Sequence, residues 1–293
     1  VARAAALLGK TADAAKYGKL HDDIVAAFDQ AFVGADGSIT AAGGGFRGRR
    51  GAPAPEPAGP PPRAGDTQTA YILALRFDLL PEALRPLVAR RLAADVAETG
   101  HLTTGFVGVG LICPTLTAIG RSDLAWQLVF TDTYPSWLFS VKNGATTIWE
   151  RWDGWTPDKG FQDSSMNSFN HYSLGSVGAW FYSGAAGIRL DEAAPGYKHF
   201  TLAPQFTPRL SRVQASLNSP YGVIASSWHT AGGRMEYDVT IPPNTSADVV
   251  LPVAPADVRQ GDAPVSGAGT ASETRLALAA GSYRFSFPMQ SLK

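Results

Sequence analysis

The residues of this 293-residue chain best suited to chemistry lie between Tyr134 and His171, in YPSWLFSVKNGATTIWERWDGWTPDKGFQDSSMNSFNH. One carboxylate, Glu150, stands between Trp149 and Arg151, with Trp152 and Trp155 close behind and Asn170, His171 and Tyr172 at the far end. Trp137, Trp149, Trp152 and Trp155, out of seven tryptophans in the whole chain, fall in this stretch. An indole offers a broad apolar face with a polar edge. Rings clustered around a carboxylate therefore suit a sugar, whose C–H face stacks while its hydroxyls seek hydrogen bonds. The stretch reads as a carbohydrate site. Its structural alternative is a Glu150 that merely pairs with a nearby arginine, because paired carboxylates are often architectural.

Composition limits the partner. Twenty-five basic and 25 acidic residues cancel, so neither a nucleic-acid footprint nor a surface for anionic membranes is indicated, and a neutral or weakly charged ligand is favoured. No apolar run approaches the roughly 20 residues of a membrane span. The one cysteine, Cys113, rules out an internal disulfide, and its apolar neighbours make it a small buried residue rather than a nucleophile. The chain opens VARAAALLGK, like the last turns of a helix and without a charged-then-apolar leader. It is read as starting inside a longer protein, with a cytoplasmic location favoured over a secreted one.

The elements that must position the site come in two kinds. Thr11 is expected to cap a helix with Tyr17, Leu20, Ile24, Ala27, Phe28 and Phe32 at helical spacing. Residues 41 to 65 are rich in Gly, Pro and Ala, carry an arginine cluster at Arg47, Arg49 and Arg50, and read as an exposed, mobile insertion. Helices then follow from Thr67, from Pro81 to a stop at Gly100 with Leu84, Leu87, Val88, Leu92 and Val96 inward, from Phe106 to Ile119, from Ser122 to about Phe130, and from His171 to Ser183. Short Gly-containing turns join them as antiparallel hairpins. After Gly187 the pattern changes to short alternating segments separated by Gly, Pro, Asn and Ser, with Gly232-Gly233 as a hairpin turn. Helices followed by strands, without β-α alternation, imply an α+β chain of two domains, 1–196 helical and 197–293 an antiparallel β-sandwich.

The runs TQTAYILALRFDLLP, HLTTGFVG, DTYPSWLFSVKNGATTIWERWDGW and SFNHYSLGSVGAWFY, taken in this order, resemble the C-terminal part of the catalytic toroid of α-L-rhamnosidases, glycoside hydrolase family seventy-eight. The strands beyond are similar to the β-sandwich that follows that toroid. The resemblance implies part of an (α/α)6 toroid and an inverting hydrolase of terminal α-L-rhamnose, with Glu150 as general base. An inverting glycosidase needs a carboxylate to deprotonate water and a carboxylic acid about 6.5–9.5 Å away to protonate the leaving oxygen. Arg151 and the loop around Asp153 and Gly154 are expected to help keep the base ionised. His171 matches the family's sugar-contacting histidine, and its imidazole can exchange hydrogen bonds with hydroxyls without a full charge. By itself a histidine before a helix is more often a cap or a satisfied core group.

Trp149, Trp152, Tyr134 and Phe106 complete the expected sugar contacts, although in an extended segment alternate side chains face opposite ways, so at least one of the two tryptophans belongs to the core. The family's acidic motif, which supplies the general acid, has no counterpart here, and Asp132, Asp153, Asp158 and Asp163 are not promoted in its place. The expected partners are a rhamnosylated small molecule or oligosaccharide and the N-terminal part of the same protein, with no nucleic acid, membrane, cofactor or metal. Three other readings are open: another α/α-toroid glycosidase, a polysaccharide lyase using Asn170, His171 and Tyr172 for proton abstraction, and a non-catalytic carbohydrate-binding fragment.

Overall fold

The computed structural model of the protein describes residues 1–40 and 65–289. Apart from Gly65, the Gly/Pro-rich stretch lies outside the described residues. The chain divides into two compact units, Val1–Ser176 and Val177–Lys293.

The first unit is helical. It begins with α1 (Ala2–Leu7) and α2 (Thr11–Phe32). The residue preceding α2 is Lys10, so Thr11 is its first helical residue rather than its cap. No residue of α2 is buried, and Leu20 and Ile24, which recur at helical spacing, are exposed. The segment from Thr67 behaves as its sequence requires: Thr67 accepts a hydrogen bond from the Ala70 N–H at 3.2 Å and opens α3 (Gln68–Arg76). Helix α4 (Arg85–Thr99) starts later than Pro81, because Pro81 to Leu84 form a turn, closed by Leu84 N–H on the Pro81 carbonyl at 2.9 Å, and Pro86 takes the first-turn place. Gly100 ends α4 in the left-handed region at φ 73°, where glycine carries no Cβ penalty. Val88, Leu92 and Val96 are buried as their spacing implies.

Helix α5 (Gly105–Ala118) is apolar on most sides, and α6 (Ser122–Phe130) and α7 (Trp137–Lys142) follow. Helix α5 packs on α3 and on α6. Its glycines serve close packing: a Cβ on Gly108 would lie 2.9 Å from Thr69 Oγ1 and from Thr104 Cβ. Beyond Lys142 regular structure almost ceases up to Asn170, with only the two-residue strands β1 (Trp155–Thr156) and β2 (Gly160–Phe161) and one 3-10 turn at Ser164–Met166. The helix expected over His171–Ser183 is replaced by a 3-10 turn (Ser173–Val177), a single α-turn (Gly178–Trp180) and a π-turn (Phe181–Ala185). Ser173 N–H donates to His171 Nδ1 and Ser176 Oγ to the Ser173 carbonyl, side-chain bonds that compete with helical ones. Among the described residues no helix is long and apolar enough to cross a membrane.

Among the described residues, the second unit is built on a nine-stranded sheet. Strands β3 (Ile188–Leu190), β4 (His199–Leu202), β5 (Arg212–Ser219) and β6 (Gly222–Ala231) lead to the long β7 (Arg234–Leu251), and the short β8 (Arg259–Gln260), β9 (Ala263–Pro264) and β10 (Ala268–Thr270) to the long β11 (Glu273–Pro288). Tyr197, the expected boundary, falls between β3 and β4. Gly232 and Gly233, at φ 54° and 77°, make the β6–β7 hairpin.

Strands β7 and β11 pair along most of their length, interrupted by an irregularity between Ala279 and Gly281, opposite the stretch from Pro242 to Thr245. The first part of β7 pairs with β6 and its last part with β4, the latter in parallel, so the sheet is not purely antiparallel. Met235, Tyr237, Val239 and Ile241 on one side of the irregularity and Ala247, Val249 and Leu251 on the other all turn into one core with Phe200, Trp228, Phe285 and Phe287. Trp228 Nε1 donates to the Ala185 carbonyl at 2.9 Å and Ser226 Oγ to the Ala186 carbonyl at 2.6 Å, satisfying groups left over where the π-turn ends.

Candidate active site

Two irregular segments meet to build the site. Residues 147–150 and 168–171 run alongside each other: Glu150 N–H donates to the Ser168 carbonyl at 2.8 Å, His171 N–H to the Ile148 carbonyl at 2.9 Å, and Thr147 Oγ1 to the Phe169 carbonyl. This pairing carries Glu150 and His171 to the same place. Glu150 Oε2 accepts from the Ser168 N–H at 2.9 Å, a charge-assisted bond that orients the carboxylate, while Oε1 faces His171 Nε2 at 3.9 Å. The two side chains are 17% and 27% exposed, enough for a ligand to reach both.

The Ser173 amide can only donate, so His171 Nδ1 accepts, at 3.4 Å, and a neutral ring then carries its hydrogen on Nε2, toward Glu150. Phe106, the second residue of α5, stacks on the ring with centroids 4.9 Å apart. Beside this group opens a cleft of about 260 Å³. Its apolar wall is Phe106, Tyr134, Trp152, Met166 and Leu174, and its charged groups are Glu150, Arg151 and Asp153. An apolar wall with a few convergent polar groups is the makeup of a small-ligand site.

Residues 1–185 match the family model described as the bacterial α-L-rhamnosidase 6 hairpin glycosidase domain, and residues 187–265 the one described as the bacterial α-L-rhamnosidase C-terminal domain. The chain belongs to the bacterial α-L-rhamnosidase family. An α-L-rhamnosidase of Streptomyces avermitilis is 39% identical over 252 residues, 86% of this chain and 22% of that protein. One of Formosa agariphila is 37% identical over 254 residues, 86% of this chain and 24% of that protein. Among solved structures, the Streptomyces avermitilis α-L-rhamnosidase complexed with L-rhamnose superposes with a TM-score of 0.82 at 36% identity, over 97% of this chain and 25% of that one. The native enzyme of Aspergillus terreus gives 0.79 at 27% identity, over 98% of this chain and 28% of that one. The chain thus spans about a quarter of the length of these relatives.

Within this rhamnosidase-family chain the expected sugar contacts separate. Trp152, Tyr134 and Phe106 line the cleft. Trp152 meets Trp137 edge-on at 5.8 Å, and its carbonyl accepts from Ser140 Oγ at 2.8 Å. Trp149 is the one of the two tryptophans that belongs to the core: it is 7% exposed, packs against Phe169 at 5.0 Å and is not among the residues lining the cleft. His171 is not among the residues lining the cleft; it stacks on Phe106, and its Nε2 faces Glu150 Oε1 at 3.9 Å.

Arg151 Nε donates to Asp153 Oδ1 at 3.2 Å, so the arginine pairs within the cleft with Asp153 and not with Glu150. The other aspartates are engaged elsewhere. Asp132 pairs with Lys142, and Asp163 caps the Ser164–Met166 turn through Ser165 N–H at 2.8 Å, a bond that holds its carboxyl below the usual range. The carboxyl of Asp158, beside Thr156, is likewise held below the usual range. Cys113 is buried and its thiol is pushed up to about 12, far from a nucleophile's range. Met166, Leu174 and Gly105 also line the cleft. The glycine could be read from the HLTTGFVG run, whereas Met166 and Leu174 sit on short 3-10 turns that no periodicity marks.

Proposed function

We propose that this chain carries the general-base half of the active site of an inverting α-L-rhamnosidase, with Glu150 as the base. The observation that carries the reading is the asymmetry of that carboxylate: Oε2 is pinned by the Ser168 amide, while Oε1 accepts no hydrogen bond among the described residues and faces His171 Nε2. A base held by one oxygen has the other available for a proton. Water attacks the anomeric carbon as Glu150 takes its proton, and the glycosidic bond to the leaving oxygen breaks. His171, with Nε2–H turned toward this place, donates to a sugar hydroxyl. Rhamnose is a 6-deoxy sugar, and its methyl group suits an apolar wall such as Trp152, Met166 and Leu174.

The leaving oxygen needs a proton. Asp153, the other carboxylate lining the cleft, is bound by Arg151, and we assign the general acid to a part of the protein outside this segment. The relatives named α-L-rhamnosidase, one of them solved with L-rhamnose, support the substrate.

In the full-length protein, Glu150→Gln is expected to lower kcat on an aryl α-L-rhamnoside by about 10³-fold while rhamnose affinity changes little, because an amide cannot accept the proton of water. Proton NMR of the first sugar released should show the β-anomer. A release of α-rhamnose sinks the inverting mechanism, and a Glu150→Gln enzyme with full turnover removes Glu150 as the base.

A further inference from the structure

Gln68, the first residue of α3, has no exposed surface. A buried amide is costly unless its hydrogen bonds are met, and here both senses are spent on one loop. Nε2 donates to the His101 carbonyl at 3.1 Å, and Oε1 accepts from the Thr103 N–H at 3.0 Å. The adjacent Thr69 Oγ1 donates to the Thr104 carbonyl at 2.8 Å. Three bonds from two successive residues therefore hold residues 101–104 against the first turn of α3. The loop has no regular structure of its own and leads directly into α5, through Gly105 at φ 57°, to Phe106.

Phe106 lines the cleft and stacks on His171, which faces Glu150. The packing between is tight: Gly108 approaches Thr69 and Thr104 so closely that a single added carbon would clash. A displaced loop is thus transmitted to α5 rather than absorbed, since close-packed interiors leave no slack. We propose that Gln68, assisted by Thr69, is a positioning residue of the site: it holds the 101–104 loop so that Phe106 braces the His171 imidazole against Glu150. This inference rests on the function proposed above.

The test is a double-mutant cycle in the full-length enzyme. Gln68→Leu keeps the volume and removes the bonds, and it is expected to lower kcat/KM on an aryl α-L-rhamnoside by about tenfold, since small misplacements of a positioned group are expensive. In a His171→Ala background the same substitution should cost nothing further in kcat/KM while its drop in Tm persists, which a purely structural role does not produce. Equal kinetic losses in both backgrounds, or an unchanged kcat/KM for Gln68→Leu, overturn the proposal. Should Gln68→Leu not fold, Thr69→Val, which keeps its shape, is put through the same cycle with the same criteria and a smaller expected loss.

Hydrogen exchange separates this idea from the assigned activity because it needs no turnover. In Thr69→Val, faster exchange at residues 101–106 together with the Ser173 amide, which bonds His171 Nδ1, supports the clamp. Faster exchange confined to 101–106 overturns it. An unsubstituted enzyme that does not cleave rhamnosides sinks the functional reading and leaves the exchange result to judge Gln68.

Discussion

The sheet unit and the site segment satisfy their backbones in opposite ways. Strands β7 and β11 exchange ladder bonds from Arg234–Pro288 to Leu251–Thr274 on either side of the irregularity at Ala279–Gly281; β7 buries nearly every second side chain, and β11 does so toward its two ends. Residues 143–171, apart from the short β1–β2 pair, are instead tied by single bonds between distant points: Glu150 to Ser168, His171 to Ile148, Trp152 to Ser140, and Asn167 Nδ2 to the Gly154 carbonyl at 2.9 Å. The difference follows from geometry. A strand sends successive side chains to opposite faces, so it cannot aim four consecutive residues at one cavity. Glu150, Arg151, Trp152 and Asp153 all line the same cleft. Only an irregular backbone does that, and its cost is that few bonds hold the arrangement in place.

Substitutions can break this contrast from either side. The largest kinetic effect belongs to Glu150→Gln, the roughly 10³-fold loss in kcat described above, which should leave Tm nearly unchanged. The largest effect on stability belongs to the sheet: Trp228→Ala removes a fully buried ring and its bond to Ala185, and should cost about 3–5 kcal/mol. Read by urea unfolding, that loss should come with an unaltered KM in whatever folds. A changed KM would mean that the sheet unit also shapes the site.

A finer comparison sets one hydrogen-bonding side chain in each region against the other. Asn167→Ala removes bonds to the Gly154 and Gln162 carbonyls, and Ser226→Ala removes the bonds of its hydroxyl with Ala186 and Tyr237. Each should lower stability by about 1–3 kcal/mol. Only Asn167→Ala should also lower kcat/KM, because it unties the loop that presents Trp152 and Asp153. Equal kinetics for the two variants would erase the distinction. At the bottom of the scale, Lys19→Ala breaks the exposed pair with Asp23 on α2 and should move neither Tm nor kcat/KM, as surface ion pairs seldom count.

Local rules were legible in the residues themselves. Thr67 opens a helix, Gly100 closes one and Gly232-Gly233 turns a hairpin, because a cap or a turn depends on backbone groups only a few positions away. The switch from helical to alternating spacing after Gly187 likewise announced a helical part followed by strands. The same residues allowed errors where a neighbour in space outvotes a neighbour in sequence. The helix expected from His171 to Ser183 dissolves into 3-10, α and π turns, and Pro86 rather than Pro81 sits in the first turn of α4.

The site divides along the same line. By itself the sequence determined that a carboxylate, a histidine and several aromatic rings are concentrated in one stretch, since composition and order require no folding. Which of them face one another was decided by the tertiary structure. The pairing of 147–150 with 168–171 brings Glu150 to His171, the clamp on 101–104 delivers Phe106 from a helix far back in the chain, and Arg151 turns to Asp153. Trp149 goes into the core while Trp152 goes into the cleft. In irregular backbone no period relates a residue's number to the direction of its side chain, so these choices rest on contacts between segments that only the folded chain brings together.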